Sequence, residues 1–282
     1  MKEGETMKDV LLDTFKDSLE LLPFLFLTFL LIELFEHKFS NKSKSIVEKS
    51  GKFGPILGSL LGAVPQCGFS VAATNLYITR IISLGTLFSV YLATSDEMLP
   101  LLIAEKAPVS LIAKVLLIKV ILGMIYGFII DLLLSKKEKP KYDICDHDHC
   151  DCENKILMAS IKHTLNIFVF IVICTLLINI ILHFFGSKYL STLLLKNTIL
   201  GSFLTSLIGL IPNCASSVLI TELYLKGAIT FASLVGGLLT SAGIATLVLL
   251  KENKDKKESL QIIAVLYLIG AITGMILEFF NL

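Results

Sequence analysis

Two cysteines and two adjacent acids carry most of the chemical interest of this sequence. Cys67 and Cys214 each follow a proline by two residues, in Pro65-Gln66-Cys67 and Pro212-Asn213-Cys214, and Asp96 stands beside Glu97 inside an apolar run. A thiolate is a soft ligand suited to zinc, cuprous copper or trivalent arsenic, whereas Asp96, Glu97, Asn75 and Glu222 offer hard oxygens suited to manganese or magnesium. Each proline interrupts a helix, so the cysteine and its neighbouring amide (Gln66 or Asn213) stand at a tip. Carbonyls of the incoming helix and N–H groups of the outgoing helix converge there, and such a tip can hold either sign of charge. Ser70 with Thr74, and Ser217 with Thr221, follow at four-residue spacing and either line a path or bond back to their own helix. A buried cysteine is more often an apolar filler; its recurrence at two matching breaks raises the ligand reading.

The recurrence is a duplication. Sliding residues 54–77 onto 201–224 without a gap, a shift of 147, matches Gly54, Leu57, Ser59, Leu60, Gly62, Pro65, Cys67, Ser70, Val71, Thr74, Leu76 and Tyr77 with identical residues. Half of the window agrees. Internal repeats that meet at mid-membrane are a common frame for a transport site.

What must hold these residues is a membrane bundle. The 282-residue chain is 54% hydrophobic and 17% charged, and 19–35, 84–104, 109–134, 156–185, 228–250 and 260–280 approach or exceed the roughly 20 apolar residues that cross a bilayer. Six full spans are expected. The pieces 54–64, 67–79, 199–211 and 214–225 are too short to cross alone and pair as hairpins turning at the Pro-x-Cys tips, the alternative being one kinked span per pair. The expected fold is an all-α integral membrane protein of two inverted repeats. Each has three spans plus a broken or re-entrant helical hairpin, ten helical segments in total. Residues 1–134 form the N-terminal repeat, 135–155 a linker and 156–282 the C-terminal repeat.

Either count of segments per repeat is odd, so the second repeat is inverted. The linker and the loops 38–52 and 251–258 then share one side and carry most of the lysines, which makes that side cytoplasmic. Both termini face outward, and the location is the cell (inner or plasma) membrane. The first apolar run follows an acidic tail (Glu3, Glu5, Asp9, Asp13, Asp17) and has no small-residue cleavage site, so it reads as a span rather than a secretory signal. Gly54, Gly58 and Gly62, with Gly201, Thr205 and Gly209, form stripes of small residues, as do Gly123 with Gly127 and Gly270 with Gly274; these read as packing surfaces. A net charge of +1 leaves no basic surface for nucleic acid.

One charge at mid-membrane costs about 2.5–3.5 kcal/mol on insertion scales, so Asp96 and Glu97 need a reason. The next span returns through a short turn and brings Lys114 and Lys119 to similar depth, where ion pairing or coupling is expected. Aligning Thr94-Ser95 with Thr240-Ser241 puts Ala242 and Gly243 opposite the acids, so the pair belongs to one repeat only and favours a cation or proton role. The linker segment 143–153 carries Cys145, His147, His149, Cys150 and Cys152 among acids. Its spacing is not finger-like, and it is either a loose metal-collecting or metal-sensing loop or a solvated acidic connector. Glu33 with His37, and His163 with Asn166, are gating or pairing candidates. No phosphate-binding loop occurs, so ATP hydrolysis within the chain is not expected, and no resident cofactor is called for.

The stretches Pro65 to Tyr77, Ser95 to Pro100 and Ile211 to Val218, with Glu33 to His37, resemble the ten-segment heavy-metal exporters, a family grouped by name with the arsenical permeases. The resemblance covers nearly the whole chain and implies export of a metal or metalloid, labelled in that family as arsenic efflux or manganese transport, without choosing between them. The expected function is secondary transport by alternating access, not enzymatic, with the bilayer and the ion as partners; self-association into a homo-oligomer stays open. Two other classes stay open as well: a membrane thiol redox enzyme cycling Cys67 and Cys214, weakened by the absence of Cys-x-x-Cys, and a metal-sensing membrane protein working through its linker.

Overall fold

The computed structural model describes residues 53–64, 67–94, 98–134, 198–213 and 215–280, with isolated helical positions between 19 and 30 and between 161 and 176. The linker and the first-span residues Glu33 and His37 lie outside the described residues, as do His163 and Asn166. Among the described residues the regular elements are all α-helices: α1 (Gly54–Gly62), α2 (Cys67–Ile78), α3 (Leu84–Ala93), α4 (Met98–Ala104), α5 (Val109–Leu134), α6 (Thr198–Gly209), α7 (Ala215–Leu225), α8 (Phe231–Thr240), α9 (Ala245–Glu252) and α10 (Lys256–Phe279). The last five repeat the first five at the same shift of 147, nearly end for end.

The repeat extends to side-chain contacts. Ser83 caps α3 by accepting from the Thr86 N–H at 3.1 Å, and Thr230 caps α8 by accepting from the Ser233 N–H at 3.2 Å. Each capping hydroxyl donates to a carboxylate of a long helix, Ser83 to Asp131 at 2.7 Å and Thr230 to Glu278 at 2.6 Å. Asp131 also accepts from the Gly85 N–H at 2.8 Å. Asp131→Ala leaves two donors at the start of α3 without that acceptor, an expected cost of about 1–3 kcal/mol, read as a lower thermal midpoint of the solubilised protein. An unchanged midpoint would remove this capping role.

Within each set, three helices touch through small residues. A Cβ added at Gly127 would lie 2.8 Å from the Gly85 carbonyl oxygen and 2.9 Å from Pro55, and one at Gly62 would lie 2.5 Å from the Val90 carbonyl oxygen. In the second set a Cβ at Gly270 would lie 2.7 Å from the Gly236 carbonyl oxygen and one at Gly274 2.8 Å from Ser202. The stripes read from the sequence are thus the seams of α1, α3 and α5, and of α6, α8 and α10. The outer flanks of the long helices expose Ile121, Ile125 and Ile129 on α5 and the equivalent Leu268, Ile272 and Ile276 on α10, apolar surface that suits lipid.

The short helices α4 and α9 change sides. Helix α9 packs against α2, and α4 packs against α7. One apolar core therefore joins Val71, Leu87 and Tyr91 to Ala245, Val248, Leu249 and Ile262, and a second joins Met98, Leu102 and Val115 to Ile220, Leu223, Leu234 and Leu238. The two cores are repeat images of one another. At the boundary Tyr126 of α5 and its own repeat mate Thr273 of α10 share a hydrogen bond of 2.9 Å.

The stretches Val109–Leu134, Phe231–Glu252 and Lys256–Phe279 are long and apolar enough to cross a membrane. Two spans that the sequence reads as continuous are interrupted in the structure. Residues 84–104 divide into α3 and α4, and 228–250 into α8 and α9, with the interruptions after the equivalent residues Thr94 and Ser241. Thr94 leaves the helix with φ −53° and ψ 127°, and Ser241 with φ −78° and ψ 79°. Gly243 then takes φ +59°, a left-handed conformation that glycine adopts without a Cβ penalty. Hydropathy registers side chains, and Ser-Ala-Gly is apolar enough to hide a backbone break.

Candidate functional site

Each helix break strands backbone groups inside the bundle, and those groups need partners. At the first break the buried ammonium of Lys119 on α5, 1% exposed, donates to the Thr94 carbonyl oxygen. Thr94 lies two residues before Asp96 in the chain. Asp96, Glu97 and Ser95 themselves lie outside the described residues. Lys114 goes elsewhere. Its ammonium sits 4.2 Å above the ring of Phe231 at the start of α8, because five residues along a helix from Lys119 is nearly one and a half turns and faces the other way.

At the second break the Pro-x-Cys tip and the interrupted span are joined. Asn213 is buried, its N–H donates to the Ile211 carbonyl oxygen at 2.7 Å, and its own carbonyl oxygen accepts from the Ser216 hydroxyl at 2.8 Å. The Ser216 and Ser241 hydroxyls lie 3.1 Å apart, tying the first turn of α7 to the end of α8. Cys214 and Gln66 lie outside the described residues, and Cys67 begins α2.

The remaining candidates divide. Ser70 and Ser217 are buried, and their carbonyl oxygens accept from Thr74 at 2.8 Å and Thr221 at 2.7 Å, so the back-bonding reading of those threonines holds. Thr74 does more, sharing a 2.6 Å hydrogen bond with the hydroxyl of Tyr91. Asn75 is buried with no partner for its Nδ2 among the described residues, the state of a donor held ready in a low-dielectric setting. Its repeat mate Glu222 is only partly buried and pairs with Lys226 at 3.1 Å, so the two equivalent positions are not equivalent environments. The linker residues Cys145, His147, His149, Cys150 and Cys152 lie outside the described residues. No cluster of three His, Cys, Asp or Glu forms among the described residues.

Sequence reasoning missed Tyr91, Ser216 and Ser241. Tyr91 is fully buried on α3 and its hydroxyl stands 3.5 Å from the Ala245 carbonyl oxygen in the first turn of α9, linking the tip helix of one repeat to the broken span of the other. A tyrosine in an apolar run reads as filler, and only its place one turn before Thr94 marked it. The helix ends also correct the alignment of the acids by one residue. Thr94 is equivalent to Ser241, so Asp96 and Glu97 face Gly243 and Ile244 instead of Ala242 and Gly243, and they still belong to one repeat only.

Buried broken helices, small-residue seams and lipid-suited outer flanks define a multi-pass helical membrane protein of the transporter kind. A family profile described as "Putative, 10TM heavy-metal exporter" matches residues 6–187 and again 154–281, which together take in almost the entire chain. The chain belongs to this family of heavy-metal exporters. No curated protein and no solved structure matches it.

Proposed function

We propose that the protein is a secondary exporter that moves a metal or metalloid ion, arsenite or an organoarsenical or a manganese-like divalent cation, by alternating access between two inverted halves. The observation that carries this reading is the pair of helix breaks at Thr94 and Ser241, equivalent in the repeat and set inside the packed bundle. Interrupted helices at mid-depth expose carbonyls and N–H groups of opposite polarity, and they are tolerated where they line a site. Asp96, Glu97, Cys67, Cys214, Gln66, Asn213 and Asn75 are the ligands this reading assigns, with Ser70, Ser217 and Glu222 along the path and Lys119 as counter-charge.

Inversion has support in end contacts. Helix α5 has 26 residues, about 39 Å at about 1.5 Å per residue. Its C-terminal end meets the start of α3 through Asp131 and Ser83, and three residues before Ser83, Arg80 meets Glu258 in the first turn of α10. These contacts bring the end of α5 and the start of α10 toward one side of the bundle, which supports opposite directions for these repeat mates. In this reading the halves are 1–134 and 156–282, and the lysines of 251–257 favour a cytoplasmic location for that side and for the linker 135–155 between them, by the positive-inside rule. The outward direction of transport rests on the family.

Loaded vesicles presented with arsenite, methylated arsenicals, manganese, zinc and cadmium test the reading, and failure to move any of them would overturn it. Replacing Cys67 and Cys214 by serine separates the substrates. Arsenite export is expected to fall by at least about tenfold while manganese export persists, because only the soft ligands are lost. Equal export of arsenite by the double variant would exclude the two thiols as ligands.

A further inference from the structure

The two repeats are tied together by different chemistry at their two ends. Arg80, just past α2, forms a two-pronged pair with Glu258 of α10, Nη1 to Oε1 at 2.9 Å and Nη2 to Oε2 at 3.0 Å. Tyr77 donates its hydroxyl to the same Oε1 at 2.6 Å, and Asn253 donates Nδ2 to Oε2 at 3.0 Å. The guanidinium carbon also lies 5.0 Å from the centre of the Tyr77 ring. A single carboxylate of the second repeat thus receives four donors, two of the three donor residues coming from the first. Such planar, charge-assisted bonds are the strong class of hydrogen bond.

The position of Arg80 makes the arrangement more than a surface contact. Helix α2 closes with the Arg80 N–H on the Tyr77 carbonyl oxygen and the Ile81 N–H on that of Leu76, both at 2.8 Å, which requires a left-handed residue at position 80. Helix α7 closes with the same two bonds at Gly227 and Ala228, 2.9 Å and 2.8 Å. Gly227 has φ +69° with open space where a side chain would be, and Arg80 has φ +59°. The motif suits glycine, and one repeat keeps it; the other bears an arginine that spans to the opposite half. Where the first end has Arg80, Glu258 and Asn253, the equivalent positions hold Gly227, Leu111 and Lys106, so this ionic cluster has no image at the other end. There, among the described residues, the Lys114 ammonium of one half stands over Phe231 of the other, whose ring is edge-on to Tyr224 at 6.2 Å.

We propose that Arg80 and Glu258 form a latch that closes the transport path at the Arg80 end, and that it parts once in each cycle while the softer Lys114–Phe231 contact closes the other end. This rests on the alternating-access reading and adds to it which end is the more firmly held. The asymmetry sets the resting state: the conformation with the latch engaged is the one the protein returns to.

The test is amide hydrogen exchange on the full-length protein in lipid nanodiscs, with vesicle export read in parallel. Arg80→Ala and Glu258→Gln are expected to raise exchange roughly tenfold not only at 79–83 and 253–259 but also at the interior break, 241–245. The charge-swapped pair Arg80→Glu with Glu258→Arg is expected to restore slow exchange at the break, and it serves as the folded control if either single variant misfolds. A rise confined to 79–83 and 253–259, or a swap that behaves like Arg80→Ala, would overturn the latch and show a local brace. Loss of the latch signature with wild-type export intact refutes only this inference. A clear latch signature in a protein that moves none of the ions refutes the exporter reading and the cycle built on it, and leaves only the coupling of the Arg80 end to the interior break.

Discussion

Export is expected to fall by at least about tenfold in Asp96→Asn and in Glu97→Gln, the lower end of what loss of a group around a metal costs, with both proteins still folded. The argument runs from cost to purpose. Two adjacent acids follow the break at Thr94, in a stretch where the second repeat has Gly243 and Ile244 and completes the same fold without them. The fold therefore does not require carboxylates there, and groups so costly to bury persist where they bind or carry charge. The buried ammonium of Lys119 bonds the carbonyl oxygen of Thr94, two residues before Asp96 in the chain, at a position where the second repeat has the buried Leu266. An amide keeps the shape of each acid and removes its charge, so folding survives while ion binding does not. Radiometal or arsenite flux from vesicles, scored against the amount of folded protein, decides the matter. Wild-type flux in both variants would retire the pair.

Gly127→Leu is expected to eliminate the folded protein. A Cβ alone at that position would press within 2.8 Å of the Gly85 carbonyl oxygen and 2.9 Å of Pro55, both rigid parts of neighbouring helices. Overpacking a tight seam costs about 1–3 kcal/mol or more, and within lipid no hydrophobic gain between helices offsets it. Size-exclusion profiles of solubilised protein should show aggregate in place of the single peak, while Ile125→Leu on the lipid-facing flank of the same helix should behave as wild type. A monodisperse, thermally unchanged Gly127→Leu protein would mean that the α3–α5 seam is not tight.

Much of this architecture was legible in the residues. The shift of 147 that aligns Pro65-Gln66-Cys67 with Pro212-Asn213-Cys214 also aligns the helix ends, the capping hydroxyls and the carboxylates behind them. Small-residue stripes at four-residue spacing could be read because packing demands them wherever backbones touch. The breaks at Thr94 and Ser241 could not, since hydropathy averages over side chains and an unwound peptide leaves no mark on it. Nor could the roles of Tyr91, Arg80 and Glu258. Their partners in the other repeat are 154 positions away for Tyr91 with Ala245 and 178 for Arg80 with Glu258, and sequence spacing speaks only to neighbours along a helix. Depth along the span offers Lys114 and Lys119 alike as partners for the acids, and the turn of the helix sends the two ammonium groups to different neighbours.

The crossing of α4 and α9 means that neither copy of the repeat is a self-sufficient folding unit. Each lends a short segment to its sibling's interior and borrows one in return, so a lone copy would carry an unfilled groove and an orphaned helix together. Carrying both copies on a single polypeptide guarantees that each finds its counterpart in equal number.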